Sequence, residues 1–122
     1  YNGAPRGRIN CTDAGRCARI EMKIPSGERY ELCRSVHAEA NAIISASRRD
    51  MLGSTLYLVG RDAVTHDLLH DATSCSMCRR QIINAGITRV IIRTGDEDFR
   101  TVEVSDWILH DDSLFWTEEN RI

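Results

Sequence analysis

His37, Cys75 and Cys78 are the side chains of this 122-residue sequence whose types and spacing suit a metal ion. Cys75 and Cys78 form a Cys-x-x-Cys at the start of a run that reads as a helix. That spacing puts both sulfurs on one side of the first turn, where the positive helix end favours thiolates. His37 opens another run of helical texture. Two thiolates and one imidazole suit zinc, and three protein ligands leave the fourth tetrahedral position open to water, the pattern of a catalytic zinc. Zinc lowers the pKa of such a water towards about 7. Glu39, two residues after His37, need not be a ligand. A carboxylate beside an acidified water is what proton shuttling requires. Each half also has a blander reading. His-x-Glu arises by chance in many proteins, and Cys-x-x-Cys alone can be a redox pair or half of a structural zinc site. The combination is more specific, because each half opens a helix and a strand lies between them.

The elements that must position these residues can be read from texture. Residues 36–49 are rich in Ala and Ile without Gly or Pro, and predict a helix. Residues 54–59 (STLYLV) lie between Gly53 and Gly60 and predict a buried strand. Residues 61–73 are polar and predict a loop or small hairpin. A second helix is expected over 75–85, ended by Gly86, and a second strand over 88–93. Helix, strand, helix, strand implies a parallel pair with a crossover helix, hence an α/β layered domain. Residues 101–104 alternate like a strand, and 106–110 read as a helical turn or more strand.

Length allows one domain and no more. Its parts are an irregular, cysteine-containing segment at 1–34, a core at 35–94 and an acidic segment at 95–122. The 16 basic and 18 acidic residues give a net charge of −2, which argues against bulk nucleic-acid binding. Charge is uneven: residues 1–34 carry seven basic and four acidic groups, residues 95–122 two and nine. Apolar runs are too short for a membrane-spanning helix. No signal peptide is read at the start, so the cytoplasm is the expected compartment. Five cysteines cannot all pair within one chain, and in that compartment metal ligands or free thiols are expected over bridges.

The stretch His37-Ala38-Glu39-Ala40-Asn41-Ala42-Ile43-Ile44, followed by Cys75-Ser76-Met77-Cys78, resembles the cytidine/deoxycytidylate deaminase superfamily. Tyr1-Asn2-Gly3-Ala4-Pro5-Arg6-Gly7, Asn41 and Gln81-Ile82-Ile83-Asn84-Ala85-Gly86-Ile87 resemble its deoxycytidylate (dCMP) deaminase branch. The resemblance runs from residue 1 to about Val90. It implies a three-layer α/β/α fold with a mixed central sheet, here lacking the helix and first strand that precede Tyr-Asn-Gly in relatives. It implies a catalytic Zn2+ on His37, Cys75 and Cys78, with Glu39 moving the protons. The implied reaction is hydrolytic deamination of dCMP to dUMP and ammonia. Ala38 would offer its backbone N–H to the base, and Asn2 would contact the sugar. The resemblance further implies dCTP and dTTP as regulators and a homo-oligomer; the balance of charge and the short apolar runs lead us to expect no nucleic acid and no membrane as partner. The alternatives are another cytosine or adenine substrate (free nucleoside, tRNA or single-stranded DNA), or a zinc-stabilised module without catalysis. One departure lies in the motif: Ser74 stands where the family has proline before its first cysteine.

Other residues admit two readings. Cys11, Cys17 and Cys33 could hold a second, structural Zn2+, one ligand short, or be free thiols. A phosphate would need a cation, and Arg6, Arg8, Arg89 and Arg93 qualify by type. His66 and His70 are expected to be solvated rather than a metal pair, and His110 to lie at the surface. Met77 is expected in the core. Arg48-Arg49 and Arg79-Arg80 read as solvated faces, the first pair on its own helix dipole. Trp107, Phe115 and Trp116 suggest that the acidic segment docks on the domain or a neighbouring subunit.

Overall fold

The structure is a computed structural model of the chain and describes residues 1–111. In chain order the elements are α1 (Cys11–Ala14), α2 (Ala18–Glu21), a 3-10 turn (Tyr30–Leu32), α3 (Ala38–Ile44), α4 (Arg48–Met51), β1 (Thr55–Leu58), β2 (Gly60–Arg61), β3 (Leu68–Leu69), α5 (Ser76–Ala85), β4 (Arg89–Arg93), β5 (Phe99–Glu103) and α6 (Val104–Leu109).

Alternation decides the sheet. Leu56, Leu58, Val90, Ile92 and Val102 share one face and pack with Ile43 of α3, Ile82 and Ala85 of α5, and Val104 and Trp107 of α6. Ile82, Val90 and Ile92 are wholly buried. Burying each such side chain stabilises the domain by about 1.5–3 kcal/mol. The strand order is β1-β4-β5. β1 and β4 are parallel, with Leu56 opposite Val90, and β4 and β5 antiparallel, with Val90 opposite Val102. This is the expected α/β fold with a mixed sheet. Among the described residues it forms two layers, and Tyr57 on the uncovered face is 72% exposed.

The parallel pair is fastened at its start. Gly53 N–H donates to the Gly86 carbonyl at 2.8 Å, and Thr88 N–H to the Ser54 carbonyl at 2.9 Å. Gly86 caps α5 at φ 85°, and a Cβ there would fall 2.5 Å from Leu52 Cδ2. Because α5 returns the chain from the end of β1 to the start of β4, its N-terminus lies at the opposite end. That is the carboxyl edge of the parallel strands, where open α/β sheets place their sites.

Several boundaries differ from expectation. The helix expected over 36–49 is two helices. The Ser45 hydroxyl bonds back to the Asn41 carbonyl at 2.8 Å where α3 ends, and Ser47 caps α4 by accepting from Asp50 N–H at 3.1 Å. The polar stretch at 61–73 does form a small hairpin, β2 with β3. The strand expected at 101–104 runs instead from Phe99 to Glu103, and Val104–Leu109 form α6 with His110 as its C-cap. Residues 1–34 have only single helical turns. Trp107 packs on the core as expected, while Phe115 and Trp116 lie outside the described residues. No helix among the described residues is long and apolar enough to cross a membrane.

Candidate metal centre and substrate cleft

Both predicted halves of the metal site sit at helix starts. His37 is the N-cap of α3 and Cys75 the N-cap of α5, each with extended backbone. The Cys75 sulfur accepts from Cys78 N–H at 3.5 Å, so the turn itself aims both sulfurs one way. His37 Nδ1 lies 3.6 Å from Cys75 Sγ and 3.3 Å from Cys78 Sγ. With zinc bonds of about 2.0–2.3 Å, the edges of a tetrahedron are roughly 3.4–3.8 Å. All three donor atoms lie within 4.8 Å of one another. One imidazole nitrogen and two sulfurs at this spacing fit Zn2+ in number, type and separation.

The surroundings hold the ligands in place. The Tyr30 ring meets His37 edge-on, centroids 5.6 Å apart. Arg79 donates through Nε to the Ser74 carbonyl at 3.0 Å while its guanidinium lies 5.2 Å over the Trp107 ring. It thereby braces the residue before Cys75, so Arg79 is not the solvated residue expected. Ser74, in the place of the family proline, is buried, and its hydroxyl has no hydrogen-bond partner among the described residues.

Glu39, in the first turn of α3, is 9% exposed, and Cys78 is wholly buried. Burial, then the Glu39 charge and the neighbouring Cys75, push the Cys78 thiol far above its ordinary range. Without a cation, that thiol keeps its proton. A divalent cation reverses the balance and binds the thiolate. The Glu39 carboxylate lines the same cleft as His37 and Cys75, and its charge acts on the Cys78 thiol, so it lies near the donor set.

The centre opens into a cleft of about 1010 Å³, lined by His37, Glu39 and Cys75 and by both residues expected at the substrate, Asn2 and Ala38. The loop carrying Asn2 is tied to α3. Gly3 and Val36 exchange backbone hydrogen bonds at 3.2 and 2.7 Å, and Asn41 Nδ2 donates to the Tyr1 carbonyl at 2.7 Å. A Cβ on Gly3 would sit 2.8 Å from Tyr1 Cε1 and 3.0 Å from Asn10 Oδ1, so any side chain there would push the Tyr1 ring aside.

With this geometry the sequence comparisons agree. The family described as the cytidine and deoxycytidylate deaminase zinc-binding region matches residues 1–94. The chain belongs to this family. It is similar to the deoxycytidylate deaminase of Schizosaccharomyces pombe, 34% identical over 94 residues, covering 77% of this chain and 26% of that protein. It is also similar to the deoxycytidylate deaminase of Mycobacterium phage D29, 36% identical over 95 residues, covering 75% of this chain and 63% of that protein. The chain thus spans less than two thirds of either relative. No solved structure matches it significantly.

In this deaminase-family chain the remaining candidates separate. None of Arg6, Arg8, Arg89 and Arg93 lines the cleft. Arg89 pairs with Glu103 at 3.0 Å, and Arg93 donates to the carbonyls of Gly95 and Asp96, both at 3.0 Å. The cleft instead carries Arg61, which no motif marks, and His66, one of the two histidines expected to be solvated. Cys11, Cys17 and Cys33 are free thiols in this structure. Among the described residues only His37, Cys75 and Cys78 gather as a metal group, so the three are not assembled into a second site. What orders that segment is Arg19, which donates to the Glu28 carbonyl at 2.8 Å and the Pro25 carbonyl at 3.0 Å and lies 4.5 Å over the Tyr30 ring. His70 is engaged, its Nδ1 being 2.8 Å from the Thr94 carbonyl. His110 is exposed, as expected. Met77 is half-buried and lines a separate groove of about 610 Å³ between α3, α4 and α5 rather than the core. Arg48 meets a helix dipole, but that of α5, through the Asn84 carbonyl at 2.8 Å.

Proposed function

We propose that this chain carries the catalytic centre of a dCMP deaminase, which converts dCMP and water to dUMP and ammonia. The observation behind it is one cleft in which a buried carboxylate, Glu39, stands beside a His37, Cys75 and Cys78 donor set that fits zinc. The names of both relatives support the deoxynucleoside monophosphate as substrate. When bound, Zn2+ supplies a water acidic enough to attack a ring carbon at neutral pH. Glu39, the buried carboxylate near the metal donors, would carry a proton to ring nitrogen 3 of the base. The same carboxylate then moves the second proton to the amino nitrogen, and the carbon–nitrogen bond breaks to release ammonia. Burial keeps bulk water from competing for these protons. The backbone N–H of Ala38, in the first turn of α3 and so without an acceptor inside its helix, serves the base. Asn2 serves the sugar. Regulation by dCTP and dTTP and assembly of several copies belong to the same reading and rest on the family likeness.

The test is the initial rate on dCMP beside CMP, deoxycytidine and dCTP, with zinc-loaded protein. A preference for dCMP is expected. Glu39→Ala is expected to keep one zinc per chain and lose about 100- to 10,000-fold in rate. Full activity in that variant would refute the role of Glu39. Faster turnover of deoxycytidine would make the substrate a free nucleoside.

A further inference from the structure

One wall of the cleft is not used by the deamination chemistry. The β2–β3 hairpin places Arg61, Asp62 and His66 along the same cleft as His37 and Glu39. Its tip is braced from within. Asp62 N–H donates to the Asp67 carbonyl, and His66 N–H to the Asp62 carbonyl, both at 2.9 Å. Asp62 Oδ1 accepts from the amides of Val64 and Thr65 at 2.8 and 2.9 Å. The Asp62 carboxylate is thereby occupied by the turn it holds.

Two features of this tip bear on the cleft. His66, at φ 64°, takes the left-handed position that closes such a hairpin loop, and it lines the cleft beside Arg61. Arg61 Nη1 donates to the His66 carbonyl at 3.1 Å, which ties the guanidinium to the tip. Its other N–H groups have no acceptor among the described residues in this structure, and a guanidinium has five. Arg61 is also the one arginine or lysine among the described residues that lines the cleft. A planar fork of donors beside an imidazole suits a phosphate monoester, which offers several acceptor oxygens and two negative charges.

We propose that Arg61 and His66 hold the 5′-phosphate of the nucleotide substrate, with Asp62 as the residue that positions both. The inference rests on the dCMP deaminase reading. It assigns the hairpin the choice of nucleotide over nucleoside, while the metal centre performs the chemistry.

Steady-state kinetics on dCMP with the zinc-loaded chain test it, using Arg61→Ala, Arg61→Lys and His66→Gly. The glycine variant keeps the left-handed backbone and removes only the imidazole. Arg61→Ala is expected to raise KM for dCMP roughly 10- to 100-fold, the loss of a charge-assisted contact, while kcat falls less than about threefold. Arg61→Lys is expected to recover part of that loss, and His66→Gly to raise KM several-fold with zinc content unchanged. An unchanged KM in Arg61→Ala would overturn the assignment. So would a fall in kcat together with lost zinc, which would mark the arginine as structural. A wild-type chain that does not prefer dCMP to deoxycytidine would instead remove the deaminase reading on which the assignment stands.

Discussion

On one side of the cleft, His37 and Cys75 cap helices that are rooted in Ile82, Ala85, Val90 and Ile92, all buried. On the other, Tyr1 to Gly3, Tyr30 and the β2–β3 hairpin stand on loops whose order comes from polar contacts rather than from a buried apolar core. The same contrast separates two sets of three metal-capable residues. His37 and Cys75 are 38 positions apart, yet their donor atoms meet at 3.6 Å, because a sheet and two packed helices fix both helix starts. Cys11, Cys17 and Cys33 lie closer in sequence and do not gather, because single helical turns position only their immediate neighbours. Apolar burial can hold a donor set ready before the metal arrives. A loop segment without it needs some other clamp, and here Arg19 supplies one.

Removing ligands from each set should break this contrast most sharply. Cys78→Ser is expected to abolish zinc binding at the centre and deamination with it. The triple variant Cys11→Ser, Cys17→Ser, Cys33→Ser is expected to keep one zinc per chain and to change stability by less than about 1 kcal/mol. Metal analysis of the purified proteins, followed by thermal unfolding, decides it. Two zinc ions in the wild-type chain, falling to one in the triple variant, would erase the distinction between the sets.

What could be read in advance follows the same division. Hydrophobic texture and local motifs report elements that bury a face, so the strands at Leu56 and Val90, the helix ended by Gly86, and the grouping of His37, Cys75 and Cys78 as a donor set that fits zinc are all legible. The break between α3 and α4 is not, because Ala46 and its serine neighbours suit a helix interior and a helix end almost equally. Arg19, Arg61 and Arg79 carry no such signal in the sequence, where Arg79-Arg80 read as a solvated face. Their work depends on distant carbonyls, those of Glu28, His66 and Ser74, and on the rings of Tyr30 and Trp107, which no spacing rule brings together. Asn41 carried a family likeness without a role, and the structure supplies one: it holds the Tyr1 carbonyl and so the loop bearing Asn2.

A smaller effect should come from the loop-side clamp. Arg19→Ala removes donors to two carbonyls and the cation over Tyr30, and is expected to cost about 1–3 kcal/mol, felt mainly in residues 17–33. Arg19→Lys should not restore it, since an ammonium lacks the planar fork that spans Pro25 and Glu28. Limited proteolysis of the segment reads the loss directly, while zinc content at His37, Cys75 and Cys78 should be untouched. Loss of zinc in the arginine variant would show that the metal wall leans on the loop wall through Tyr30 and His37.

The smallest effect concerns the hairpin and depends on pH. The amides of Thr65 and Val64 hold the Asp62 carboxyl below its ordinary value of 3.8, with the charge of His66 as a weaker aid. A carboxyl with a depressed folded pKa contributes its stabilisation fully above the unfolded value and loses it as the pH falls through the folded one. The tip should therefore be firm at neutral pH and loosen only when acidified below 3.8. Hydrogen exchange at the Val64 and Thr65 amides is expected to quicken there, beyond the intrinsic change with pH, while amides of β4 stay protected by the core. In Asp62→Ala the two hairpin amides should exchange fast at every pH. If they kept their protection in that variant, the hairpin would owe its order to packing, as the metal wall does, and the contrast between the two sides of the cleft would end at the N-terminal loops.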